Sequence, residues 1–141
     1  MKKGGTSEQF RMHITKDKLG GKAVEPGIYQ ARINTEFTSS KANKPMMKVE
    51  YNLLGTQPSG ATAVGRKVFD NIVFEESMLW KFNQVFSAVT GEDLPEDSLT
   101  IDEIYGMISS AINGAMVTIE VVTEKQTDSD REQNRVKKFI Q

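Results

Sequence analysis

The sequence predicts a mainly β domain of five strands, interrupted between the third and fourth by a helical insertion. Two observations carry that expectation. Apolar and polar residues alternate in five separate stretches, at residues 29–37, 46–53, 64–74, 115–121 and 134–140, which is the period of a strand with one buried face. Between the third and fourth stretches the apolar residues change to helical spacing, twice over. At 141 residues the chain is long enough to bury one core without staples.

The first strand places Tyr29, Ala31, Ile33, Thr35 and Phe37 on one side, with Gln30, Arg32, Asn34 and Glu36 on the other. Ser39, Ser40, Lys41, Ala42, Asn43, Lys44 and Pro45 break the alternation with turn formers and two lysines. The second strand resumes with Met47, Val49, Tyr51 and Leu53 opposite Met46, Lys48, Glu50 and Asn52. Residues 55–62, rich in Gly, Pro, Ser and Thr, read as a flexible loop that leads to Arg66 and Lys67. In the third strand Val68 and Ile72 share a side with Asp70, and Lys67, Phe69, Asn71 and Val73 share the other.

Ser77 reads as a helix N-cap. Met78, Leu79, Phe82, Val85, Phe86 and Val89 follow at helical spacing, Gly91 ends the helix, and Trp80 falls off the stripe. Thr100 with Glu103 three residues on forms a capping-box pattern before Ile101, Ile104, Tyr105, Ile108 and Ile112. Ala115, Val117, Ile119 and Val121 then alternate as a fourth strand. A charged loop over residues 125–133 leads to the fifth, which carries Arg135, Lys137 and Lys138. Three strands, helices and two strands is the order of a five-stranded Greek-key barrel of the OB type. An α+β sandwich, or a roll with an added N-terminal strand, shares that order. Residues 1–26 read as a basic N-terminal arm ahead of a single domain at 27–141, with Phe10, Met12 and Ile14 spaced for a short edge strand.

Composition narrows the function. There is no cysteine, which excludes disulfides, zinc–thiolate sites and thiol catalysis. The single histidine, His13, sits in the polar N-terminal segment and makes a poor catalytic centre. The acidic pairs Glu75-Glu76 and Asp102-Glu103 stand beside helix starts, where they read as helix-dipole electrostatics rather than metal ligands. A non-enzymatic protein without cofactor is therefore expected. No apolar run approaches the roughly 18 residues that cross a bilayer, and no signal peptide follows the N-terminal lysines, so no membrane partner and a cytoplasmic location are expected. The formal net charge of −1 hides an asymmetry. Residues 1–50 hold ten Lys/Arg against five Asp/Glu, while residues 68–110 hold nine acids against Lys81 alone. One part of the molecule suits a polyanion and the other does not.

Residues 26–33 (Pro-Gly-Ile-Tyr-Gln-Ala-Arg-Ile), 40–49 (Ser-Lys-Ala-Asn-Lys-Pro-Met-Met-Lys-Val), 65–69 (Gly-Arg-Lys-Val-Phe), the helix around Trp80, and 113–119 (Asn-Gly-Ala-Met-Val-Thr-Ile) together resemble a family. It is the single-stranded-DNA-binding proteins of bacteriophages and prophages, long catalogued as a domain of unknown function. The resemblance covers roughly residues 26–141. It implies an OB-type barrel that coats single-stranded DNA during phage replication or recombination in the bacterial host cytoplasm. Many bacterial single-strand binders end in an acidic tail that recruits partners, whereas this sequence ends in a basic strand, Arg135 to Gln141.

Sequence-tolerant binding of a single strand takes cations along the backbone path and aromatic rings on which bases stack. OB folds bind through the face of strands two and three and through the first and last loops. The cationic candidates are Arg32, Lys41, Lys44, Lys48, Arg66, Lys67, Arg135 and Lys137, with Lys125 and Arg131 in or beside the last loop. Phe69 and Phe139 are the stacking candidates, since Phe69 shares a register with Lys67 and Phe139 with Arg135 and Lys137. Tyr29, Phe37 and Tyr51 lie in the apolar register and read as core. An alternative function is a protein–protein adaptor, docking through Trp80, Glu92, Asp93, Glu96 and Asp97 onto a basic helicase, recombinase or annealase. Trp80 also suits a contact with another copy of the chain.

Overall fold

The computed structural model describes residues 23–125 and 132–140. Most of the expected N-terminal arm, His13 and Arg131 lie outside that range. The sheet is hung on β1 (Gly27–Ser39), which pairs antiparallel with β2 (Pro45–Leu53) along one edge and with β4 (Met116–Lys125) along the other. β3 (Lys67–Val73) adds to β2 and β5 (Glu132–Ile140) adds to β4, so the order is β3-β2-β1-β4-β5 with every neighbour antiparallel. The helices α1 (Leu79–Thr90) and α2 (Ile101–Ile112) follow β3 in the chain. The expected β-rich fold with a helical insertion is thus present. The two edge strands, β3 and β5, run in the same direction, and their Cα atoms come within 8 Å of each other without a hydrogen-bonded ladder. The sheet is curled but not closed.

Period-two alternation explains which face is buried. Tyr29, Ala31 and Ile33 of β1 meet Met47, Val49, Tyr51 and Leu53 of β2, Val68 and Ile72 of β3, and Val117, Ile119 and Val121 of β4. Phe82, Val85 and Phe86 of α1 and Ile108 and Ile112 of α2 complete this core. Each large apolar side chain so buried contributes roughly 1.5–3 kcal/mol. Phe37 departs from its expected place. β1 runs on past the core, so Phe37 is 43% exposed and instead joins an aromatic cluster, with its ring 5.7 Å from Phe74 and 5.2 Å from Tyr105. Phe74 in turn stacks on Phe82 at 4.7 Å and links that cluster to the core.

The helix ends follow local chemistry. Thr100 and Glu103 form the reciprocal capping box: the Glu103 amide donates to Thr100 Oγ1 (3.1 Å) and the Thr100 amide to Glu103 Oε1 (2.9 Å). Gly91 ends α1 at φ 76°, a left-handed conformation that favours glycine. Ser77 does not cap α1. A 3-10 turn at Glu76–Met78 leads into the helix, whose N-cap position is Met78 with no side-chain cap. The turn after α2 is sewn to β1, with the Gly114 amide donating to Ile33 O (2.7 Å) and the Thr35 amide to Asn113 Oδ1 (2.7 Å).

Two further findings concern the loops. Residues 55–62, expected to be flexible, form a small hairpin with Thr56 bridged to Thr62, and the Ser59 amide donates to Glu25 Oε2 at 3.1 Å. Val24, within the expected arm, is buried: Asn134 receives its amide on Oδ1 (2.9 Å) and donates Nδ2 to its carbonyl (3.0 Å). The chain is therefore ordered into the fold ahead of β1. Among the described residues no helix is long and apolar enough to cross a membrane.

Candidate nucleic-acid interface

The pairing registers fix which side chains share the outer face of β1, β2 and β3. Arg32 lies opposite Asn52, which lies opposite Lys67; Asn34 lies opposite Glu50 and then Phe69; Glu36 lies opposite Lys48 and then Asn71. Three cations, three asparagines, two glutamates and one aromatic ring thus form three adjacent rows on one face. Arg32, Lys48, Lys67 and Phe69 come together as the sequence predicts. Asn34, Asn52 and Asn71 were not singled out by sequence, although the same even-odd register that placed Lys48 and Lys67 places them. Their amides offer both donors and acceptors to phosphate or base edges.

Phe69 is 44% exposed, and the Lys48 ammonium stands 4.6 Å from its ring centroid. Strand register puts the ring on the surface, and the Lys48 ammonium makes a cation–π contact with it there. Lys67 Nζ is 2.8 Å from Glu50 Oε1, and Arg32 Nη1 donates to Gly114 O at 2.7 Å. A pair as exposed as Lys67–Glu50 contributes at most about 1 kcal/mol, so an incoming phosphate competes for Lys67 at little cost.

The loop cations extend the patch along the strands. Lys41 and Lys44 sit in the β1–β2 hairpin, closed by the Asn43 amide on Ser40 O (2.9 Å) with Asn43 at φ 60°. Lys41 is exposed, while Lys44 turns to Glu75, 2.6 Å away. Arg66 precedes β3 at the opposite end, where its carbonyl accepts from the Leu53 amide at 2.9 Å.

The last-strand candidates divide. Arg135 lies opposite Val122 in the β4–β5 ladder, with Nε 3.1 Å from Glu124 Oε2. It stands on the far edge strand, outside the β1–β3 rows. Phe139 departs from its expected place: half-buried, it packs against the core, its ring 6.1 Å from that of Tyr51, opposite the buried Ile119. The cause is a bulge. Lys138 pairs with Glu120 but Val136 pairs with Val121, so Lys137 is the extra residue and the alternation inverts beyond it. Lys137 is exposed at that bulge.

The other set of candidates lies on the helices. Trp80 is 63% exposed, and it lines a cleft together with Asp93, Glu96 and Asp97. Glu92 is exposed but not part of that lining. Asp93 Oδ1 accepts from Asn83 Nδ2 at 3.1 Å. Among the described residues no group of histidines and carboxylates is arranged to hold a metal ion. Comparison with protein-family models and with curated proteins gives no match for this chain.

Proposed function

We propose that this chain binds single-stranded DNA without sequence specificity, in phage replication or recombination, and catalyses no reaction. The observation that carries the proposal is the outer face of β1–β3, where Arg32, Lys48 and Lys67 share one surface with an exposed Phe69. The fold supports the same reading. We read the strand order β3-β2-β1-β4-β5, the helices between β3 and β4, and the edge strands drawn close together without a ladder as an open sheet of the OB type. The phage context rests on the resemblance alone.

Magnitudes indicate how such a face would work. Cations and carboxylates alternate on it, so long-range attraction is weak. Stacking on Phe69 supplies about 1–3 kcal/mol per base, and phosphates hold to the three cations on either side. Unpaired bases reach that ring, whereas duplex bases do not, so single strands are preferred. The test is a titration of labelled oligo-dT and of duplex DNA at two salt concentrations. The expected result is oligo-dT binding that weakens with salt and exceeds duplex binding at both. Equal affinity for the two, or no oligo-dT binding at low salt, overturns the proposal.

A further inference from the structure

The surface built by the start of α1 and the α1–α2 connection is acidic where the sheet face is mixed in charge. Leu79 and Trp80, adjacent on α1, are 40% and 63% exposed. They open onto a cleft of about 640 Å³ shared with the half-buried Phe74, Leu94 and Ile104. The lining holds five carboxylates and no lysine or arginine. Glu75 is matched by Lys44, and Asp93 by the Asn83 amide. Glu76, Glu96 and Asp97 stand exposed on the rim.

We infer that this cleft docks a basic peptide segment of a partner protein. One large apolar side chain of that segment seats among Leu79, Trp80 and Leu94, and its lysines or arginines meet Glu76, Glu96 and Asp97. Charge complementarity selects this occupant. A nucleic acid would bring phosphates against five carboxylates. A second copy meeting the cleft through a two-fold axis would oppose acid to acid. Groove-bound peptides that supply apolar anchors with charged flanks meet neither obstacle. The inference is independent of DNA binding, which uses the opposite charge on a different face.

Trp80 is the only tryptophan and so reports on its own cleft. The full chain is titrated with a short amphipathic leucine–lysine peptide carrying a fluorophore, and with a leucine–glutamate peptide of equal length. The expected result is a saturable shift of Trp80 emission to shorter wavelength with the lysine peptide only, weakening as salt rises. Reversing the rim with Glu96→Lys and Asp97→Lys is expected to weaken peptide anisotropy binding by about tenfold or more, with thermal melting and oligo-dT affinity unchanged. If that variant fails to fold, Glu96→Gln with Asp97→Gln serves, with a smaller loss expected. Three outcomes overturn the inference. One is equal binding of the two peptides, or none of the lysine peptide. Another is Trp80 emission that already moves with protein concentration, which makes a second copy the occupant. The third is lysine-peptide binding that appears only after removal of residues 1–22, which makes the chain's own N-terminal segment the occupant.

Discussion

Tyr29 and Tyr51 share one buried register, yet their hydroxyls meet different fates. Tyr29 donates to Glu25 O at 2.7 Å. Tyr51 is 1% exposed, and among the described residues its hydroxyl makes no hydrogen bond. Burial, and then the charge of Asp70, push the Tyr51 hydroxyl above its ordinary value of 10.0. Tyr29 is also raised, by burial and then by Glu25. A buried hydroxyl without a partner carries its full desolvation cost, so Tyr51→Phe is expected to leave stability at pH 7 unchanged or to raise it by up to about 1 kcal/mol. Tyr29→Phe loses a made bond and is expected to cost about 0.5–1.5 kcal/mol. The pH dependence has a definite sign. A tyrosine whose folded pKa is raised holds its proton longer in the native state, so its contribution is whole below pH 10 and falls as pH rises above it. Urea unfolding at pH 7 and again above pH 10 checks both statements. Tyr51→Phe must lose less stability over that interval than the parent, and an unchanged alkaline loss would contradict the assignment.

At the scale of elements, the capping box of α2 provides the cleanest test. Thr100→Ala removes one half of the pair and leaves the amide of Glu103 to solvent, at an expected cost of about 1 kcal/mol. Thermal melting measures it, and a variant as stable as the parent would show that the box is not needed. That helix start was legible in the sequence because capping is a local chemistry of four residues. The strands were legible for the same kind of reason, since the alternation holds over 28–35 in β1, over 46–53 in β2 and over 116–121 in β4. β5 was misread where a non-local event intervened. Nothing in the spacing of Arg135, Lys137 and Phe139 announces that Lys137 is bulged, because the bulge is defined by the partner strand. Phe37 was misread for a related reason: the register was right, but β1 outruns the core that would have covered it. Arg32, Lys48, Lys67 and Phe69 were found because register alone placed them. Charge and exposure also pointed to Trp80, Asp93, Glu96 and Asp97, but the cleft that joins them to Leu79, Leu94 and Ile104 depends on how α1, the connection and α2 pack together.

At the scale of the molecule, charge is divided between surfaces with different shapes. Carboxylates gather around the cleft beside the helices, while cations and carboxylates are interspersed on the curled sheet, so one chain of nearly zero net charge presents an acidic surface and a mixed one. The sheet face is itself mixed, and this makes its proposed role sharply testable. Three cations on β1–β3 imply a modest salt dependence, since each phosphate neutralised on a single strand contributes about −0.7 to the slope of log K against log salt concentration. A slope of roughly −2 is expected from them. Glu50 holds Lys67 at 2.8 Å in the free protein and opposes any phosphate nearby. Glu50→Gln therefore removes a competitor and a like charge, and is expected to tighten oligo-dT binding several-fold. Lys67→Gln is expected to weaken it and to make the slope shallower by about 0.7. The contrast between these two substitutions separates DNA binding on this face from binding elsewhere, because only on this face do two adjacent changes move affinity in opposite directions. If Glu50→Gln leaves oligo-dT affinity unchanged while the fold is intact, the DNA path does not cross β2 and β3.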